Sequence, residues 1–100
     1  MTIIYLVKGL TGEYEDTYRW VAKAFTNKEK AETLCQKLNE VAQRGHSGNF
    51  GSSYESRNTD LMYQVQEEVL EELQNGLDPK ASFCGNGISY SIEELEVEIG

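Results

Sequence analysis

The chain has 100 residues, nine basic and 17 acidic side chains, one histidine and a formal charge of −8. That length fits one domain with one core. That charge argues against direct binding to nucleic acid or to an anionic membrane, both of which call for a basic face. Two cysteines make no disulfide framework, and no run nears the ~18 apolar residues that span a bilayer. The opening MTIIYLVKG has no charged n-region or long apolar stretch of a secretory signal. The reading is a cytoplasmic protein with reduced thiols.

Residues 2–8, TIIYLVK, are β-branched and aromatic, which suits a strand. Apolar side chains occupy both parities, Ile3/Tyr5/Val7 and Ile4/Leu6, as in a strand covered on both faces and central in its sheet. GLTGEYED, residues 9–16, reads as a loop. TYRWVAKAF, residues 17–25, reads as a second strand, antiparallel to the first, with Tyr18, Trp20, Ala22 and Ala24 on its core side. Thr26 and Glu29 fit a capping box. Ala31, Leu34, Cys35, Leu38, Val41 and Ala42 then mark one stripe of a helix over 27–44, which Gly45 stops in a left-handed conformation.

Glycine, serine and asparagine dominate residues 45–58, which read as a flexible loop. A second helix spans 59–75, with Leu61, Met62, Val65, Val69, Leu70 and Leu73 on its apolar face and Gly76 as its stop. The closing ISYSIEELEVEI reads as a strand. Its apolar parity changes from Ile88/Tyr90/Ile92 to Leu95/Val97/Ile99, and a bulge near Glu93-Glu94 would reconcile the two. The expected fold is a single α+β domain of order β-β-α-α-β, a three-stranded antiparallel sheet with two helices and the first strand in the middle.

Little in the chain looks catalytic. His46 sits alone in the glycine-serine loop, where a general base lacks support. GHSGN is not a nucleophile elbow, because Asn49 stands where G-x-S-x-G needs glycine. Cys35 lies on a core stripe, and Cys84 has no cationic neighbour in sequence to activate it. No histidine pair or C-x-x-C suggests zinc, and Glu13, Glu15 and Asp16 miss the calcium-loop spacing. No glycine-rich nucleotide cradle is present. The expectation is a non-enzymatic protein without cofactor or metal. Against it stands an enzyme working through Tyr14, Asp16, His46 or Cys84.

Charge is the more informative feature. Residues 1–50 hold seven basic and six acidic side chains, whereas residues 51–100 hold two basic and eleven acidic ones. Glu67/Glu71 and Glu68/Glu72 fall on adjacent turns of the second helix, roughly 5–6 Å apart at Cβ. Glu94, Glu96 and Glu98 alternate along the last strand at roughly 6.6–6.8 Å. A carboxylate row at that pitch imitates a phosphate backbone. These seven glutamates are the candidate partner-binding residues, and their natural complement is a basic protein.

Residues 3–40 carry Gly12-Glu13-Tyr14-Glu15-Asp16, Ala24-Phe25-Thr26 and Lys28-Glu29-Lys30-Ala31-Glu32. In these pieces the chain resembles small proteins encoded by bacteriophages and prophages, which often end in a strand like Tyr90-Ser91-Ile92-Glu93-Glu94-Leu95. The resemblance implies a phage-like origin and a bacterial host cytoplasm, and carries no catalytic residue. The resulting expectation is an acidic accessory protein that binds a basic host protein, inhibiting a nucleic-acid-directed defence of the CRISPR or restriction type. The alternative is an assembly module that self-associates, with its acids serving solubility. Both monomer and homodimer remain open at this point.

Overall fold

In the computed structural model the described residues are 2–13, 16–53, 55–83, 85 and 87–98. Strands β1 (Thr2–Glu13) and β2 (Asp16–Phe25) come first. Helix α1 (Lys28–Gln43), a 3-10 turn (Ser47–Phe50), helix α2 (Thr59–Gln74) and strand β3 (Ile88–Val97) follow. The sheet is antiparallel with order β2-β1-β3, so the first strand is central. The fold is the α+β arrangement that the pattern of elements predicts.

The hairpin is longer than the sequence suggests. Gly9 to Glu13 continue β1 and pair with Trp20 to Asp16. Gly9 has a packing reason to be glycine: a Cβ there would lie 2.3 Å from the Trp20 indole carbons Cε2 and Cζ2. The indole therefore covers the strand where no side chain stands in its way. Near the other end the register slips between Val7 and Lys8, whose partners are Lys23 and Val21. The extra residue on β2 is a bulge. It lets Trp20, Ala22 and Phe25 all reach the core although their parities differ, whereas Tyr18 is 63% exposed near the hairpin end.

No bulge interrupts β3. Its pairing with β1 is unbroken from Ile88–Thr11 to Val97–Thr2. The parity change has another cause. Ile88, Tyr90 and Ile92 face the helices, and Leu95 and Val97 lie on the opposite face, which no helix covers. Glu94 and Glu96 occupy the helix-side face beyond the end of the packed core.

Both helices lie on one side of the sheet. Val7, Leu38, Val69 and Leu73 are each at most 1% exposed and join β1, α1 and α2 into one core. Burying such side chains is worth roughly 1.5–3 kcal/mol each. Asn27, not Thr26, caps α1: its Oδ1 accepts from Lys30 N at 3.1 Å. Asn58 caps α2 the same way, accepting from Leu61 N at 3.2 Å. Gly45 is not left-handed; a Cβ there would press on Phe83 Cζ at 3.0 Å and Gln66 Cγ at 3.2 Å, so the glycine serves close packing. Gly76 does take the left-handed stop, at φ 102°.

Among the described residues of 45–58, local hydrogen bonds form a 3-10 turn and tie it to its neighbours. His46 Nδ1 accepts from Gly48 N at 3.0 Å and starts the 3-10 turn. Asn49 Nδ2 donates to Gln43 O at 2.8 Å, and Asn58 N donates to Phe50 O at 2.8 Å. Buried Gln66 ties α2 to the end of α1 by donating to Gly45 O at 2.8 Å. It lies on the buried helix face with Met62, Val69 and Leu73, whereas Leu61, which the apolar pattern puts on the core side, is 46% exposed.

Candidate binding surfaces

One buried polar cluster fixes the α2 exit against the sheet. Asp78 is fully buried. Its Oδ2 accepts from Trp20 Nε1 and from Tyr90 Oη, both at 2.8 Å, and its Oδ1 accepts from Lys80 N at 3.1 Å. The Trp20 and Tyr90 rings meet edge to face, 6.2 Å between centroids. Burial raises the Tyr90 phenol well above its usual range, and its hydrogen bond to Asp78 and the Asp78 charge raise it further. Every polar atom named here has a partner, so the cluster is a clasp between strands and helix rather than a reactive centre. Sequence reasoning passed over it. The signals were the lone tryptophan and the Asp-Pro turn after Gly76.

The clasp sets the position of the acidic helix above the sheet. Glu67, Glu68, Glu71 and Glu72 are all exposed on α2, opposite the buried Met62, Gln66, Val69 and Leu73. They are not equivalent. Glu72 Oε2 pairs with Arg44 Nη2 at the end of α1. Among the described residues, Glu67, Glu68 and Glu71 have no such cation. Glu67 and Glu71 line an open hollow of about 620 Å³ with Leu70, Gln74 and Asn75. Its lining is mostly polar, two carboxylates and two amides around the single apolar side chain of Leu70.

Glu94, Glu96 and Glu98 are also exposed. Glu94 and Glu96 stand at the far end of β3 from Ile88 and Glu98 follows just past its last residue, away from the element that carries the helix glutamates. Neighbouring Glu93 faces the other side of the sheet, where its Oε2 lies 2.9 Å from Lys8 Nζ. The seven candidate glutamates thus form two groups, one on the helix and one at the end of the strand, and Glu72 already has a cation.

Other candidates stay apart. His46 is exposed and serves as the cap described above. Cys35 is half-buried, 3.7 Å from Asn39 Nδ2, and burial pushes its thiol up. Asn39 itself clasps the outer edge of β3, donating to Tyr90 O at 3.0 Å and accepting from Tyr90 N at 2.8 Å. That blocks part of an otherwise open strand edge. Tyr14, Cys84, Tyr54 and Ile99 lie outside the described residues, and so does the Asp16 side chain. Among the described residues, no group of three or more His, Cys, Asp or Glu is gathered as metal ligands, and no helix is long and apolar enough to cross a membrane.

Comparison with protein-family models, with curated proteins and with solved structures finds no match.

Proposed function

We propose that this chain is a non-enzymatic accessory protein of phage type that binds a basic host protein through the carboxylates of α2. The single observation that carries this reading is the hollow lined by Glu67 and Glu71, beside Glu68, with no lysine or arginine pairing the three among the described residues. Carboxylates four apart repel by a few tenths of a kcal/mol. Water screens that repulsion, and a lysine or arginine from a partner relieves it. Charge-assisted contacts to such a cation run at about 2.7–2.9 Å. Leu70, beside these carboxylates in the lining, suits the methylene stem of the same side chain.

Glu94, Glu96 and Glu98 add a second acidic group whose pitch approximates a row of phosphates. A protein that grips nucleic acid offers the cations both groups need. Inhibition of a nucleic-acid-directed defence, of the CRISPR or restriction type, is the role this chemistry fits.

Affinity capture from a bacterial lysate with mass spectrometry tests the reading. The wild-type chain should retain a basic, nucleic-acid-handling protein at low salt and release it as salt rises. The Glu67→Gln, Glu68→Gln, Glu71→Gln triple variant should lose it, while Glu72→Gln, which removes an already paired carboxylate, should lose less. Equal capture by the triple variant would rule the anionic helix out.

A further inference from the structure

We propose that the helix-free face of the sheet is an interface on which a second copy of this chain docks. The face is formed by alternate residues of the three strands, offset at the β2 bulge, and apart from Lys8, Arg19, Glu93 and a few small polar side chains it is apolar. Ile4, Leu6, Leu10, Val21, Leu95 and Val97 all lie on it by register. Leu10 and Val21 are 37% exposed and Leu95 is 47% exposed. None of the six packs against the core. Half-covered antiparallel sheets ordinarily place polar side chains on the solvent side. Here β1 is apolar on both faces, and the helices account for only one of them.

Charge and area favour a second copy as occupant. From Thr2 to Gly12 and across to their partners, the open face holds Lys8 and Arg19 against Glu93. That is two cations less one anion, so +1, on a chain of formal charge −8. Two copies meet here without bringing their acidic surfaces together, and a basic partner gains no attraction from this side. Three strands about 4.8 Å apart and some ten residues long give roughly 14 × 34 Å, or about 500 Å² per copy. A pair then covers about 1,000 Å², near the lower bound of a specific interface. Sheets stacked face to face lie ≈ 10 Å apart, with interdigitating side chains. The same patch on both copies makes a closed two-fold dimer. The helices are on the opposite side of the sheet, so α2 stays free, and this inference does not rest on the anionic-helix reading.

Sedimentation equilibrium of the whole chain, from micromolar to millimolar concentration and at low and high salt, tests the proposal. The expected mass is twice 11.3 kDa, persisting at high salt because apolar contact is not screened. Leu95→Lys and Leu10→Lys, each made alone, should raise the dimer dissociation constant at least about tenfold. Both should keep the circular dichroism of a folded chain, since neither side chain belongs to the core. The Glu67→Gln, Glu68→Gln, Glu71→Gln variant should dimerise like the wild type. A wild-type chain that stays monomeric overturns the proposal, including one whose open face proves to bind a different protein. So does a dimer that survives both lysine substitutions.

Discussion

The two faces of the sheet draw on the same strands and meet different fates. On one, Val7, Gly9, Thr11, Ile88 and Tyr90 lie beneath the helices and are buried. On the other, Leu6, Leu10, Val21 and Leu95 have no second layer. A 12-residue strand is about 40 Å long, and a 16-residue helix only about 24 Å. The helices therefore cannot reach both ends even of the face they cover, which is why Ile3 is 39% exposed although it shares a face with Val7. The lesson is that an apolar strand pattern reports how many faces need covering, not what covers them.

The largest expected effect breaks the covered face at its clasp. Asp78→Ala leaves Trp20 Nε1 and Tyr90 Oη without their acceptor, at a cost of about 2–4 kcal/mol. Urea unfolding should show a midpoint shift of that size, a large share of the 5–15 kcal/mol that holds a typical domain together. A smaller effect follows at Gly9. Gly9→Ala places a methyl against the indole, and overpacking of this kind costs about 1–3 kcal/mol. Thermal unfolding should register it, together with a changed Trp20 fluorescence.

Alkali sharpens the same contrast. The Tyr90 phenol is raised in the folded state from the ordinary value of 10.0. The unfolded chain loses that proton first, so the stabilisation is complete below about pH 10 and is lost as pH rises towards the folded value. Wild-type stability should fall more steeply above that pH than the stability of Tyr90→Phe, measured by denaturant titration in alkaline buffers. Next comes the cap. Asn27→Ala should cost about 1 kcal/mol, and Thr26→Ala much less, in the same unfolding assay. On the open face, Leu95→Lys should change the stability of the isolated chain by less than about 0.5 kcal/mol, while altering its self-association.

How much of this was legible in the sequence follows from the range of each interaction. The helices and strands show in local periodicity, and the central place of β1 shows in its two apolar parities. The Thr26–Glu29 box misplaced the cap by one residue, because Asn27 is an equally good acceptor and stands next to it. The expected bulge near Glu93 and the left-handed Gly45 were local explanations for effects that arise from distant packing: an uncovered sheet face in one case, Phe83 and Gln66 in the other. The Asp78 clasp joins residues 58 and 12 positions apart, beyond any local pattern. Among the candidate site residues, exposure of the glutamates was legible. The Arg44–Glu72 pair was not, because it depends on how the two helices lie against each other.

The measurement that tests the central contrast most directly is a dilution series followed by methyl nuclear magnetic resonance. Methyl signals of Ile4, Leu6, Leu10, Val21, Leu95 and Val97 should shift together with concentration, while those of Val7, Leu38, Val69 and Leu73 stay fixed. Signals on the open face that do not move with concentration, or shifts confined to α2, would contradict the account.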